Sequence, residues 1–555
     1  MKINIISNHR ERGLTHDVKI LAGLLYTSGD VQVKLVQYIQ PQCEEADVNI
    51  FVELVNPSLF AYASKNIWIP NPESTYRTWI PYLHMMNEIW VKTREAEGIF
   101  KALTKTPVKY IGWTSINKQT PSRKNYYKAF VPLGKNPNRE IAILFEAYRR
   151  IDNSRLPILN VVCHTPIEVP HNIKDLVVVH DNLSDDDYNK LLAECGLCIC
   201  LSKAEGFNHS VNEAMASGCN LILSSILPFK ELAPTQAIFC NSREIVQSPD
   251  RLGNLVSSDV KSLCEALEDF TSTDFSDRRA SSEMVRNKYE ARHREFVAGF
   301  LELAKTLPCE PSVMPKEDEL PPVSIICITH NRRLFMPILK YSYMIQSYPE
   351  DKLELIIVDD GEDSIEDTLI GVPNVVYVRL SEKKTVGEKR NIGVSTAMYD
   401  VIAFMDDDDV YPNNSILQRT AMMLKSPAKE CAFCTTIPCY DIAKYSSFMN
   451  VPPLQLEMSE RVSEATLIFT KKFWDERQFS EVQIAEGDAF IRGREHMCRE
   501  LSPQEVIVSL VHPLNTSSRK IPDFKEPNGC HYGFNEKLFA MVSEIGEDLK
   551  AKHAL

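Results

Sequence analysis

The 555-residue sequence has no apolar run near the roughly 18 residues that a membrane-spanning helix needs, so no integral membrane segment is expected. Basic charge is not in excess either. With 75 Asp and Glu against 62 Lys and Arg, the formal net charge is −13, which leaves no electrostatic footprint for nucleic acid or an anionic membrane surface. The opening MKINIISNHRERG has too short an apolar stretch for a signal peptide. No Gly-x-Gly-x-x-Gly occurs, so a nicotinamide fingerprint is missing. Cys195/Cys198 and Cys431/Cys434 have Cys-x-x-Cys spacing, but no second pair or histidine nearby completes a zinc set. The cysteines total fifteen, an odd number, and many sit in apolar runs, which reads as buried thiols in a reducing compartment. A soluble cytoplasmic protein is the expectation.

What is present is the composition of an ordinary globular protein, long enough for three or four domains. From residue 1 to about 122, short β-branched runs (KINIIS, VQVKLVQYI, ADVNIFVEL, NIWIP, NEIWVK, VKYIGW) alternate with helical patterns, the rhythm of a parallel sheet with crossover helices. The loop Asn8 to Gly13 follows the first strand, where open α/β sheets meet ligands. A second Rossmann-type unit is expected over 123–306, with strands at KAFVPLG, ILNVVC, DLVVVH, GLCICL and NLILS and a helix over Asn138 to Arg150. Residues 307–321 are proline-rich and acidic and read as a linker. A third, doubly wound α/β unit is expected over 322–520, followed by a helical tail over 521–555.

The chain's most informative stretch is VIAFMDDDDVYP, Val401 to Pro412, where an apolar strand pattern stops at four carboxylates. Two carboxylates about 5 Å apart repel by roughly 3 kcal/mol at an effective dielectric of 20. Four in a row therefore face solvent or hold a cation. In extended backbone Asp406 and Asp408 point to one side, Asp407 and Asp409 to the other. An Asp-x-Asp pair can then converge on Mg²⁺ or Mn²⁺, with phosphate oxygens completing the shell. The alternative is a solvated acidic turn. Thr329-His330-Asn331-Arg332 and Asp359-Asp360-Gly361 also end strands, and Gly387-Glu388-Lys389-Arg390-Asn391 lies on the helix before the aspartate strand. All would gather at one edge of the sheet, where a nucleotide lies. Asp360 would accept from a base N–H, and Lys389 or Arg390 would offset diphosphate charge.

In the second unit, KAEGFNHSVNEAMASG opens a helix whose free N–H groups near Ser210 make an anion site, with Gly206 permitting close backbone approach. Glu205 and Glu213 bracket it. Ser210-x-x-Glu213 also reads as a capping box, and the two readings stand side by side. His209 is assigned no role.

Through SIICITHNR, ELIIVDDG, VGEKRNIG, FMDDDDVYP and AEGDAF, residues 322 to about 515 resemble family 2 glycosyltransferases of GT-A fold. The resemblance implies that Asp360 contacts the nucleotide base, that Asp406 and Asp408 hold the donor diphosphate through Mn²⁺ or Mg²⁺, and that His512 is a further metal or phosphate ligand. It places Thr329, Asn331, Arg332, Asp359, Lys389, Arg390, Asn391 and Asp407 in the donor site. Asp488 would be the catalytic base. The family usually writes that base as adjacent Glu-Asp, whereas here Gly487 separates Glu486 from Asp488, so Glu486 is also a candidate. Surface pairing with Arg492 or Arg494 is the alternative for either. Residues 1 to about 305 resemble GT-B glycosyltransferases of family 4, through Glu205-Gly206-Phe207 to Glu213-Ala214-Met215-Ala216 and PLGKNPNRE. That implies Glu213 on ribose hydroxyls, Glu205 at the donor sugar as a catalytic candidate, and Lys135 or Arg139 near the diphosphate.

The expectation is a bifunctional enzyme passing sugars from nucleotide-sugar donors to a glycan or glycoprotein acceptor. Its GT-A module would be metal-dependent and inverting. Its GT-B module, with no carboxylate cluster for metal, would be metal-independent and retaining. The alternatives are a GT-B half that only binds or scaffolds, a carbohydrate-binding protein with both sites inactive, and a nucleotidyltransferase, which would release pyrophosphate.

Overall fold

The computed structural model describes residues 1–8, 12–40, 43–115, 123–134, 136, 138–151, 155–181, 183–307, 317–424, 430–453, 455–503, 505–515 and 534–553. It divides into two compact units. The first comprises Met1–Gln40, Glu45–Val55 and Ser64–Glu310; the second comprises Pro311–Leu555 with Pro41–Glu44 and Asn56–Ala63. No disulfide joins the described cysteines, and no helix among the described residues is long and apolar enough to cross a membrane.

The first unit contains two six-stranded sheets. Strands β1 (Lys2–Ser7), β2 (Gln32–Gln37), β3 (Ala46–Val52), β4 (Ala63–Ile69), β5 (Glu88–Val91) and β6 (Val108–Tyr110) lie in the order β2-β1-β3-β4-β5-β6. Strands β7 (Asn125–Gly134), β8 (Ile158–Cys163), β9 (Val177–Asp181), β10 (Cys195–Cys200), β11 (Asn220–Ser224) and β12 (Ile238–Cys240) form a wholly parallel sheet in the order β12-β11-β10-β7-β8-β9. Strand β10, CGLCIC, is buried at every position, which explains its uninterrupted apolar character and places its cysteines in the core. A hairpin of β13 (Ser242–Gln247) and β14 (Asn254–Ser258) follows. The 30-residue helix Phe275–Ala304 then returns to the first sheet's side. There Phe296 and Phe300 meet Trp113 and Trp90 at ring separations of 5.0 and 5.9 Å. The helix comes late in the chain yet completes the core of the earliest strands.

The second unit is built on strands β15 (Val323–Thr329), β16 (Leu353–Asp359), β17 (Val375–Arg379), β18 (Val401–Phe404), β19 (Asp409–Val410), β20 (Cys431–Cys434), β21 (Ile437–Asp441), β22 (Ser446–Asn450), β23 (Ser463–Thr470), β24 (Cys498–Glu500) and β25 (Val508–Val511). Seven of them form a mixed sheet in the order β17-β16-β15-β18-β23-β20-β24, and β19-β25-β21-β22 form a second sheet. The helix Glu536–His553 packs onto this unit. Leu538, Val542, Ile545 and Leu549 are buried with Phe335, Ile338, Tyr440 and Leu510 in one apolar cluster.

The helix Val386–Thr396 begins on a reciprocal cap: Glu388 N–H donates to Thr385 Oγ1 at 3.2 Å, and Thr385 N–H donates to the Glu388 carboxylate at 2.8 Å. Its first turn lies against the segment around Ser480, where a Cβ at Gly387 would stand 1.8 Å from the Ser480 carbonyl oxygen. Gly387→Ala should therefore displace that segment and cost about 1–3 kcal/mol, the usual range for overpacking. A thermal melt matching the parent's would refute this.

Candidate active site

In the second unit the chain runs outward from β15 to β16 and β17, then crosses to β18 on the other side, so the carboxyl ends of β15 and β18 meet at the switch point, where open α/β sheets place their ligands. Thr329 closes β15 and Asp359 closes β16. Strand β18, however, stops at Phe404, and the aspartate run passes through a turn. Met405 N–H still pairs with Ile326 O, but Asp406 N–H donates to the Tyr411 hydroxyl at 2.7 Å, which ends the ladder. The two-sided alternation expected of extended backbone is thereby lost, and each aspartate meets a different partner.

Asp406 lies 3.6 Å from Arg390 Nη2. Asp407 is buried and accepts the Thr329 hydroxyl at 2.6 Å; burial, with the neighbouring Asp408 charge, pushes its carboxyl above the usual carboxylate range. Asp408 Oδ2 meets Arg332 Nη1 at 2.9 Å, His512 Nε2 at 3.1 Å and Asn515 Nδ2 at 3.4 Å. Asp409 faces away and receives Ser509 Oγ at 2.6 Å and Leu510 N–H at 3.0 Å, bracing β25. His512 is stacked on Phe335 with ring centroids 4.5 Å apart.

Asp360 Oδ1 accepts Lys389 Nζ at 2.9 Å and lies 3.0 Å from His330 Nδ1, while Oδ2 accepts Lys384 N–H at 2.8 Å. Burial works to raise this carboxyl, but those partners outweigh it and hold it below the usual carboxylate range. Lys389 also donates to the Thr329 carbonyl, tying β15 to β16. Asp359 accepts Tyr377 Oη, Arg379 Nη1 and Gly361 N–H at 2.6–2.8 Å. Asn331, at φ +54°, accepts Glu362 N–H at 2.7 Å. Asn391 is directed elsewhere: its carboxamide bonds Trp474 Nε1 and both backbone groups of Phe479.

Three further carboxylates lie on the segments around Arg390 and Gly487. Buried Glu486 accepts Arg390 Nε at 2.7 Å, and Ala485 before it is held at φ +59°, an uncommon conformation for a residue with a side chain. Both Asp488 oxygens lie 2.8 Å from Arg492 Nη2. Glu464, on β23, accepts Gly487 N–H at 3.3 Å. Sequence reading missed Glu464 and Asn515; their neighbours are 23 and 107 residues away in the chain, at spacings no local pattern records.

In the first unit, the switch between β7 and β10 brings Arg139 to Glu205, with Nη2 3.1 Å from Oε1. Glu205 Oε1 also accepts Ser202 Oγ at 2.7 Å and Asn136 Nδ2 at 3.3 Å. Lys135 lies outside the described residues, as do 9–11 of the first loop. The helix His209–Ser217 is capped by Asn208, whose side chain accepts Val211 N–H at 3.0 Å, so the Ser210/Glu213 capping box does not form. Glu213 instead accepts the Tyr188 hydroxyl at 2.8 Å and lies 3.6 Å from His16. His209 bridges Asp17 Oδ1 (3.0 Å) and Ser115 Oγ (2.9 Å).

Glu73 falls within electrostatic reach of both Glu53 and Glu205. Burial, then Glu53 and Glu205, push Glu73 up to about 8. A Cβ at Gly206 would stand 2.5–2.7 Å from Asn71 and Glu73, so only glycine fits where these walls meet. Among the described residues, no group of three or more His, Cys, Asp or Glu is gathered tightly enough to hold a metal ion.

Residues 324–459 match the Glycosyl transferase family 2 model. A curated relative, GDP-mannose:cellobiosyl-diphosphopolyprenol alpha-mannosyltransferase of Xanthomonas oryzae pv. oryzae, is 27% identical over 182 residues, 31% of this chain and 45% of the relative. The chain thus spans less than half the length of that relative. Among solved structures, sucrose-phosphate synthase from Thermosynechococcus elongatus is 11% identical with TM-score 0.43, covering 55% of this chain and 99% of that one. The mannosyltransferase PcManGT from Pyrobaculum calidifontis, in complex with GDP-Man and Mn2+, is 15% identical with TM-score 0.29, covering 39% and 64%.

Proposed function

Proceeding from the family 2 glycosyl transferase domain at residues 324–459, we propose that the second unit transfers a sugar from a nucleoside diphosphate donor to a glycan or glycoconjugate hydroxyl, with inversion at the sugar carbon. The observation that carries this is the convergence of Thr329, Arg332, Asp360, Lys389, Arg390, Asp406 and Asp408 at the switch point between β15 and β18. Asp359 and Asp360, at the tip of β16, face the base and ribose. Arg332 and Lys389 supply positive charge beside the diphosphate.

Asp408 and His512, in contact at 3.1 Å, are the pair that would hold Mn²⁺ or Mg²⁺, which need only one or two carboxylates when phosphate oxygens complete the shell, while Asp406 faces Arg390 at 3.6 Å. Arg332 already sets a cation on the same Asp408 oxygen, so the site is built to be neutralised. The ion, when bound, would stabilise the charge of the departing diphosphate. The donor sugar, the acceptor and the cytoplasmic setting belong to the same reading.

The first unit, by the same reasoning, is a second glycosyltransferase, retaining and metal-independent. Arg139 and the N–H groups opening the helix His209–Ser217 meet the diphosphate there. Glu205 lies at the donor sugar and Glu213 at the ribose. The internal engagement of Glu205 by Arg139, Ser202 and Asn136 favours a second reading, in which this unit binds donor without turning it over.

Release of nucleoside diphosphate from a panel of GDP- and UDP-sugars, with Mn²⁺ and with EDTA, separates the readings on the full chain. Two active units leave a chelator-resistant fraction. Complete loss in EDTA with nucleotide binding retained supports the binding-only first unit. No turnover and no nucleotide binding under either condition refutes the proposal, and release of pyrophosphate marks a nucleotidyltransferase.

A further inference from the structure

We propose that Glu464 on β23 takes the acceptor proton in the second unit, a catalytic base supplied from outside the segment around Glu486. This rests on the transferase reading above. The acceptor oxygen forms its bond to the anomeric carbon while the bond from that carbon to the diphosphate oxygen breaks. The hydroxyl proton passes to the Glu464 carboxylate, and the bonding pair leaves with the nucleoside diphosphate.

The two carboxylates that the sequence offers for this role are occupied. Glu486 is 4% exposed and held at 2.7 Å by Arg390, the guanidinium that also faces Asp406. Asp488 has both oxygens on Arg492. Burial works to raise its carboxyl, but the paired Arg492 guanidinium overcomes that and holds it below the ordinary range, which makes it a poor proton acceptor.

Glu464 differs on both counts. Its carboxylate is met by backbone N–H groups alone, from Gly487 and from its own residue, and the residue keeps part of its surface open. Burial and the negative charge of Glu486 push its carboxyl above the usual carboxylate range, with Arg390 opposing, which moves it toward the range where a general base works.

Gly487 explains why this carboxylate can stand there. A Cβ at that position would lie 2.8 Å from Glu464 Cγ and 3.0 Å from its Oε1. Any side chain at 487 and the Glu464 carboxylate would compete for one volume. In a sequence with adjacent Glu-Asp, the aspartate would begin in that volume. Here glycine vacates it, and a glutamate from the neighbouring strand fills it.

The test uses the full chain with GDP-mannose, UDP-GlcNAc and the other panel donors, Mn²⁺ present. Calorimetric binding of GDP and UDP is measured beside turnover. Glu464→Gln keeps size and polarity, and its chelator-sensitive turnover should fall by roughly 10²–10⁴-fold with nucleotide binding unchanged. In the parent, the chelator-sensitive kcat should rise with pH along a limb lying above the ordinary carboxylate range, because the base must be ionised. That acidic limb should vanish in Glu464→Gln and return, at lower rate, in Glu464→Asp; a residue that merely supports Gly487 would leave the limb in place. Parent-like chelator-sensitive turnover in Glu464→Gln, or an unchanged limb, overturns the assignment while the transferase reading stands. A parent protein that binds neither nucleotide and turns over no donor overturns that reading itself.

Discussion

Asp408→Ala is expected to reduce Mn²⁺-dependent release of nucleoside diphosphate by at least about 10²–10³-fold, the scale on which one group stabilising a leaving charge is felt. The carboxylate sits where three neighbours converge: Arg332 at 2.9 Å, His512 at 3.1 Å and Asn515 at 3.4 Å, all on one oxygen. Alanine removes the hard oxygen donor and leaves Arg332 and His512 facing each other, so the site becomes more positive and less able to seat a cation. Asp408→Asn separates charge from shape, since the carboxamide still accepts from Arg332 but binds a divalent ion poorly. Both variants should lose the chelator-sensitive activity, and any chelator-resistant activity of the first unit should be untouched. Asp408 is only partly buried, so melting should change little. An Asp408→Ala protein that turns over donor at the parent rate with Mn²⁺ present would show that the ion is held elsewhere.

Much of this site is legible in the sequence because strand ends are local. Apolar runs that stop at Thr329, at Asp359-Asp360 and before Asp406 announce their own carboxyl ends, and parallel pairing then forces those ends to one edge. The cap at Thr385 and Glu388 is equally local. What the sequence hides is distance along the chain. Arg390 is paired with Glu486, 96 residues on, and Asp360 with Lys389 across 29. Neither spacing carries a period. The alternation expected for Asp406 to Asp409 fails for a different reason, since it assumed a strand that the Tyr411 hydroxyl terminates. Asn208 took the cap expected of Ser210 because it adopts φ +73° and reaches Val211, which a pattern of residue types does not show.

The first unit's largest stability effect is expected at a pair that no motif pointed to. Lys92 follows β5 and is 2% exposed, and its Nζ lies 2.5 Å from Asp17 Oδ2 and 5.1 Å from the Trp113 ring centre. Burial alone would raise the Asp17 carboxyl, but Lys92 and then His209 hold it well below the usual carboxylate range. A depressed carboxylate stabilises the fold above its ordinary pKa of about 3.9, and that contribution is lost only as pH falls through the lower folded value. Lys92→Met keeps the side-chain length but leaves Asp17 buried with His209 as its remaining side-chain partner. Breaking a buried pair in this way costs about 3–5 kcal/mol. At roughly 2–4 °C per kcal/mol for a unit of this size, the melting temperature should fall by about 6–20 °C. The acid unfolding midpoint should move to higher pH, because Asp17 then protonates sooner. Adding Asp17→Asn removes the stranded charge while keeping a hydrogen-bonding group for His209, so the double variant should regain part of the loss. If Lys92→Met melts with the parent, or if Asp17→Asn deepens the loss, the pair is not what holds these elements together.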